Sequence, residues 1–143
     1  MYKRVFLDAN VFIDVNDESR DPDKLALQVL DYLVSNDIKI FTSCDLITTI
    51  YYILSKKDKL NALNQIEQLN KFCKIIDFGN DEVLQTTNLM RENMKFKDLE
   101  DTIQYILASK EGCDLIISND KNFVSENIEL LTTYKAIKKL NLL

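Results

Sequence analysis

Three aspartates, Asp8, Asp101 and Asp120, are the residues of this sequence whose positions best suit catalysis. Asp8 directly follows the apolar run 5–7. Asp120 comes two residues after the apolar run 115–118, and Asp101 lies in the segment that leads into that run. Carboxylates that share one site repel each other, and a divalent cation offsets the repulsion. Oxygen ligands without histidine or cysteine suit Mg²⁺ or Mn²⁺. The arrangement therefore predicts metal-assisted phosphodiester hydrolysis, in which the ion activates water and stabilises charge on the phosphate.

Each of these acids also has an ordinary structural explanation. A carboxylate that follows a strand often caps the next helix, which applies to Asp8 taken alone. Asp98 and Glu100 would stabilise a helix N-terminus through the helix dipole. Asp120, preceded by Asn119, suits a turn. Only the combination of three acids at one crevice favours a metal site.

The composition removes several classes of enzyme. The 143 residues include no histidine, which excludes a Ser-His-Asp triad, a Cys-His dyad and a histidine-based zinc site. Only two glycines occur, so the sequence has no glycine-rich phosphate-binding loop. The net charge of −5 disfavours binding along a long nucleic-acid duplex, which usually needs many lysine and arginine contacts. A small nucleic-acid-binding patch is compatible with this charge. Scattered cysteines, no signal peptide and no apolar run of roughly 18 residues predict a soluble, cytoplasmic protein without a membrane partner.

Short apolar runs alternate with helical segments along the chain. The predicted strands are 5–7, 38–41, 75–78 and 115–118, with a short fifth strand near 129–131. The predicted helices are 10–14, a helix opened by Asp21 as its cap with Pro22 in its first turn, and then about 45–56, 59–72, 81–93, 99–110 and 134–140. This order predicts a single domain over residues 1–143, a three-layer α/β/α sandwich around a mostly parallel sheet of four to five strands. Ligands of such sheets bind outside the carboxyl ends of the strands, where the three acids fall.

Three segments of the chain resemble the signature motifs of PIN domains. FLDANVFID (residues 6–14) resembles the family's opening signature, an apolar strand followed by D-[TSA]-N-[VI]-[FLW]-[IL]-D. EDTIQYILA (residues 100–108) is similar to the family's (E)-D-A-x-Q-x-x-x-A helix. IISNDKNF (residues 116–123) is similar to its I-[VI]-[TS]-x-[ND]-x-x-F segment. The three segments occur in the family's order and spacing, and the resemblance covers nearly the whole chain.

The resemblance implies a ribonuclease that depends on Mg²⁺ or Mn²⁺. At this length it most often implies the VapC-type toxin of a bacterial type II toxin–antitoxin pair, with RNA as substrate and a small antitoxin protein as partner. A homodimer is also compatible with the resemblance, and its seam or the antitoxin site would use helices 45–56 and 59–72. By position, Asp8, Asp101 and Asp120 match the family's metal-binding acids. Asn10 matches the amide that orients the first acid, and Ser118 matches the Ser or Thr beside the site.

The sequence departs from the family pattern at two positions. Asn122 stands where many members have a further Asp. Thr49 stands where many members have a Glu, six residues after Ser43, although one subgroup of the family has Thr there. Glu100 is the preferred substitute for that missing acid and is grouped with the catalytic acids, while Asp45, one helical turn before Thr49, is the other candidate. Asp98 is a supporting acid beside them.

Two other functions remain open at this stage. A catalytically weak or inactive PIN-like module would bind RNA or a protein partner without cutting. A phosphatase or response-regulator-like domain would also use an acidic Mg²⁺ pocket. The second alternative is weakened because no further acid adjoins Asp8 and no lysine follows a later strand in the required place.

Overall fold

The computed structural model describes residues 1–142, so Leu143, the last residue of the predicted domain, lies outside the described residues. Within that range one sheet contains β1 (Arg4–Leu7), β2 (Lys39–Ser43), β3 (Cys73–Ile76), β4 (Leu115–Ile117) and β5 (Glu129–Leu131). The strand order is β3-β2-β1-β4-β5, and every neighbouring pair is parallel. The predicted α/β fold with a parallel central sheet is therefore confirmed.

The helices connect these strands and flank the sheet. They are α1 (Ala9–Val15), α2 (Leu25–Ser35), α3 (Cys44–Ser55), α4 (Lys59–Phe72), α5 (Asn80–Glu92), α6 (Leu99–Lys110) and α7 (Thr133–Lys139). No helix within residues 1–142 combines the length and apolar character needed to cross a membrane.

The centre of the sheet forms the core of the molecule. Val5, Phe6 and Leu7 of β1 and the whole of β4 have no exposed surface. Residues 5–7 of β1 and the whole of β4 are continuous apolar runs, because helices cover both faces of a parallel sheet and leave no place for a polar side chain in its centre. The first polar side chains therefore occur where each strand ends, and β1 and β4 end side by side.

The predicted start of α2 was wrong. The helix begins at Leu25, and residues 21–24 form a turn in which the Lys24 amide donates to the Asp21 carbonyl at 3.0 Å. Lys24 has a φ of 56°, a left-handed conformation that separates the turn from the helix. Asp21 still acts as a cap, because its carboxylate accepts hydrogen bonds from the amides of Leu25 (3.1 Å) and Ala26 (2.8 Å). Pro22 thus belongs to the turn and not to the helix.

The predicted third strand was displaced by two residues. It runs over Cys73–Ile76 instead of 75–78, since its partners in β2 extend from Ile40, opposite Cys73, to Ser43, opposite Ile76. Pairing ends there because Ser43 is also the N-cap of α3. An apolar run by itself does not specify its pairing register, which the neighbouring strand sets.

Candidate active site

The parallel pairing of β1 with β4 brings two of the predicted acids to one edge of the sheet. Leu7 lies opposite Ile117, and the Asp8 amide continues the ladder by donating to the Ile117 carbonyl at 3.0 Å. Asp120 lies three residues beyond Ile117 in the loop that follows β4. The charge of Asp120 disfavours ionisation of Asp8.

Asp8 is buried and held by three hydrogen-bond donors. Its side chain is the N-cap of α1, with Oδ1 accepting from the Ala9 amide at 2.8 Å. Its Oδ2 accepts from the Ser118 hydroxyl at 2.7 Å and from Asn10 Nδ2 at 3.3 Å. Burial raises the pKa of Asp8, and the Ser118 and Ala9 hydrogen bonds offset part of that rise. Asp8 thus has the ordinary capping role through Oδ1, while Oδ2 is oriented by Ser118 and Asn10.

Ser118 links the start of α1 to the loop after β4. Besides donating to Asp8, its hydroxyl accepts from the Asp120 amide at 3.1 Å and from Asn10 Nδ2 at 3.4 Å. The Asn119 amide donates to Asn10 Oδ1 at 3.0 Å. Asp120 Oδ1 accepts from the Asn122 amide at 2.9 Å, so Asp120 also has the predicted turn role.

The start of α6 supplies the other acids. Asp98 is the N-cap of this helix, and its Oδ2 accepts from the Asp101 amide at 2.9 Å. Asp101 is half-buried, and burial together with the charges of neighbouring carboxylates raises its pKa to about 7. These neighbours are Asp8, Asp98, Asp120 and Glu100. The predicted acids therefore share one electrostatic environment.

The cleft in front of these acids is open and has a volume of about 890 Å³. Its lining is strongly charged and consists of Lys95, Lys97, Asp98, Glu100, Asp101, Asp120, Lys121, Asn122 and Val124. Asp8, only 6% exposed, is not among the lining residues. The sequence analysis missed the three lysines, although Lys97 directly precedes Asp98, Lys95 lies two residues before Lys97, and Lys121 directly follows Asp120.

The helix that carries Thr49 contributes a different acid. Thr49 is half-buried on α3, and it does not line the cleft formed within residues 1–142. Asp45, one turn earlier, accepts from Nε2 of the fully buried Gln104 at 3.1 and 3.2 Å and from the Ser43 hydroxyl. Burial is the largest cause of the raised pKa of Glu100, and the charge of Asp45 is the next. The negative charge of Asp45 thus contributes to raising the pKa of Glu100. Glu100 itself lines the cleft.

The donor set suits a hard divalent cation. The acids offer only oxygen ligands, and Mg²⁺ and Mn²⁺ prefer such ligands. Among residues 1–142, no three Asp, Glu or Cys side chains lie close enough together to form a complete ligand set. A complete protein cage is not required for Mg²⁺, which commonly keeps several waters and uses one or two carboxylates with substrate phosphates. The site is therefore compatible with an ion shared between carboxylates, water and a phosphate.

The sequence is similar to that of a known family and of a curated protein. A family model described as PIN domain matches residues 4–122. A protein named Ribonuclease VapC1, from Aquifex aeolicus (strain VF5), is 48% identical over 141 residues, which cover 99% of this chain and 98% of the relative.

The fold is similar to several solved structures. VapBC2 from Rickettsia felis, bound to a DNA fragment from its promoter, matches with a TM-score of 0.68 and 20% identity over 90% of this chain and 98% of that chain. FitAcB from Neisseria gonorrhoeae matches with a TM-score of 0.67 and 16% identity over 91% and 98%. At these identities the likeness establishes the fold.

Proposed function

The chain belongs to the PIN domain family, and from this membership we propose that it is an endoribonuclease that requires Mg²⁺ or Mn²⁺ and serves as the toxin of a type II toxin–antitoxin pair. The observation that carries the proposal is the electrostatic coupling of Asp101, at the start of α6, to Asp8 and Asp120 at the edge of the sheet. Asp101 and Asp120 line the cleft, and the charges of Asp8 and Asp120 contribute to raising the pKa of Asp101 to about 7. The 48% identity to a protein named Ribonuclease VapC1 supports RNA as the substrate.

In this proposal Asp8, Asp101 and Asp120 hold the ion, and Glu100 adds the negative charge that Thr49 does not provide. When bound there, a divalent ion would supply Lewis-acid chemistry to a phosphate oxygen and would lower the pKa of a water molecule. Ser118 and Asn10 orient the Asp8 carboxylate through their hydrogen bonds. Asp98 fixes the backbone of Asp101 by capping α6. Asn122 positions Asp120 through its amide.

A small antitoxin protein is the proposed partner. A ribonuclease in the cytoplasm must be restrained, and the names of similar structures describe complexes such as VapBC2. The α3–α4 pair carries three exposed apolar side chains, Tyr52 (63%), Leu60 (70%) and Leu63 (54%). Exposed apolar side chains of this kind are typical of protein–protein contact surfaces. Self-association into a homodimer stays a prediction for the same helices.

The neutral residues Thr49 and Asn122 favour a second candidate function. At both positions many PIN domains have an acid, so the chain would then be a catalytically weak or inactive module that binds RNA or a protein partner. Fewer carboxylates would lower the affinity for the ion without removing a surface that binds RNA. Catalysis and binding must therefore be measured separately.

The deciding experiment incubates the purified, partner-free protein with single-stranded RNA in the presence of Mg²⁺, Mn²⁺ or EDTA. We expect cleavage with either ion, none with EDTA, and a loss of cleavage by orders of magnitude in the Asp8→Asn protein. RNA binding by the wild-type protein without cleavage under all three conditions would support the non-catalytic module instead.

A further inference from the structure

Two lysines flank the acidic cleft on separate loops, and the first is Lys97. It lies between Phe96, which is 3% exposed, and Asp98, the cap of α6. The Phe96 ring packs against Tyr105 of α6 with a centroid distance of 5.1 Å. Because a buried ring and a helix cap fix the backbone on both sides, the Lys97 side chain starts from a rigid position on the edge of the cleft.

The second lysine, Lys121, lies in the turn that follows Asp120. Phe123, which is 5% exposed, donates its amide to the Asp120 carbonyl at 3.1 Å, and the Asn122 amide donates to the Asp120 carboxylate at 2.9 Å. The turn is thus closed by hydrogen bonds and anchored by a buried ring. Both loops present a lysine beside an acid of the site while their phenylalanines hold them to the core.

Within residues 1–142, the charges of Lys97 and Lys121 are not neutralised by ion pairs. Lys95, the third lysine of the cleft, pairs with Glu126 at 3.5 Å. None of the salt bridges within residues 1–142 involves Lys97 or Lys121, although Asp98 and Asp120 adjoin them in sequence. Both side chains are exposed in the cleft. They therefore provide two positive charges at the entrance of the cleft, in a protein whose net charge is −5.

We propose that Lys97 and Lys121 form a phosphate clamp, in which each ammonium group binds a backbone phosphate of single-stranded RNA on either side of the phosphate at the carboxylates. The clamp rests on the proposed function and adds how the strand is held. An acidic protein repels a polyanion, so local cations are needed to bring the backbone to the acids. Lysine acts as a point charge on a phosphate and does not read a base, so the clamp sets register and affinity without selecting sequence.

Binding is tested in the Asp8→Asn protein, in which the proposed cleavage is disabled and RNA affinity can be measured over a range of KCl concentrations. We expect Lys97→Ala and Lys121→Ala each to weaken binding about two- to fivefold, as for a single exposed ion pair. Each change should also reduce the slope of log affinity against log salt by about 0.7, the value for one phosphate contact on a single strand. Arginine at either position should restore the slope.

The matched control is Lys135→Ala, which removes the same charge from an exposed position on α7, outside the cleft. It should leave both affinity and salt slope unchanged. In the active protein, the lysine variants should raise KM several-fold and leave kcat within about twofold, because they remove binding shared by substrate and transition state.

Two results would overturn the clamp. The first is a salt slope in the Lys97→Ala, Lys121→Ala double variant that equals that of the Asp8→Asn parent protein. The second is RNA binding by the Asp8→Asn parent protein that does not depend on salt concentration. Neither result bears on the nuclease, since cleavage by the wild-type protein with Mn²⁺ is scored independently. Conversely, a protein that binds RNA through these lysines without cutting it would retain the clamp and reject the nuclease.

Discussion

Two parts of the acidic site are built in different ways. In the buried part (Asp8, Asn10 and Ser118), the carboxylate is 6% exposed and accepts hydrogen bonds from neutral donors. In the helix tip (Asp98, Glu100 and Asp101), no hydrogen bond within residues 1–142 is donated to the carboxylate of Glu100 or Asp101, and burial together with neighbouring acids raises the pKa of both. The difference teaches that hydrogen bonds of the fold orient the acid of the buried part, whereas no donor offsets the repulsion among the acids of the helix tip, which is the role of the cation in the proposed function.

The most severe test removes one carboxylate from each part. Asp8→Asn and Asp101→Asn keep the side-chain size and remove a charge that the ion requires, so we expect RNA cleavage to fall by about 10²- to 10³-fold in each case. The circular dichroism spectrum should stay that of the wild type. Asp31→Asn, at an exposed position on α2, is the control and should cleave normally. Near-wild-type cleavage by both site variants would reject the assignment of these acids.

A smaller loss of cleavage is expected from changing Ser118, a neutral residue of the buried part. Ser118→Ala removes the 2.7 Å hydrogen bond to Asp8 and the acceptor of the Asp120 amide. We expect metal affinity and cleavage to fall about 10- to 100-fold, the usual range for a group that orients a ligand. Ser118→Thr keeps the hydroxyl and should retain most of the activity. If Ala and Thr variants behave alike, the buried part is not organised by this hydroxyl.

The contribution of the helix tip to metal binding is tested by removing the negative charge of Glu100 and introducing one at position 49. Glu100→Gln should lower the affinity for Mn²⁺, measured by calorimetry, because it removes an anion from the cleft. Thr49→Glu should partly rescue that loss, since it returns an acid to the position where many family members have one, and Glu is a better helix former than Thr. Additive effects in this double-mutant cycle would mean that Glu100 only stabilises the start of α6.

The mildest test measures thermal stability against pH and metal. In metal-free protein the pKa of Asp101 is about 7, against an ordinary value of 3.8, so the folded state binds this proton more tightly than the unfolded state does. The contribution of Asp101 to the free energy of unfolding is therefore greatest below about pH 4 and is lost as the pH rises towards about 7. We expect a lower melting temperature at about pH 8 than at about pH 5.5 in EDTA.

Asp101→Asn should reduce that pH dependence, and millimolar Mn²⁺ should raise the melting temperature at the higher pH, because an ion that binds only the folded form stabilises it by mass action. Asp8→Asn should lose most of the response to Mn²⁺. A melting temperature that does not change with metal in the wild-type protein would argue against any acidic metal site.

The sequence predicted the elements that carry strong local signals. Helix α6 was predicted over its observed range of Leu99–Lys110, because Asp98 is a strong cap and apolar residues follow at helical spacing. The start of α2 was missed because Asp21 caps the helix from four residues away, an arrangement that depends on the turn between them. The register of β3 depends on its pairing with β2, which no local pattern contains.

The proximity of Asp8, Asp101 and Asp120 was predicted because ligands of open parallel sheets bind outside the carboxyl ends of the strands, which directed attention to the acids around that edge. The lysines of the cleft were missed, since an exposed lysine is ordinary until the fold shows what it faces. Asp45 was considered for the site, but its contact with Gln104 spans 59 residues and could not be inferred from spacing.

The backbone hydrogen bond from Asp8 to Ile117 has a consequence for how the molecule opens. This amide lies at the junction of two strands without exposed surface, so its hydrogen should exchange with solvent only when the whole domain unfolds. The amide of Asp101, bonded to the side chain of the exposed Asp98 in the first turn of α6, can exchange through local fraying. The site thus joins a buried strand end to a helix start at an exposed cap, and we expect fraying of the helix end to separate its acids while the sheet stays intact.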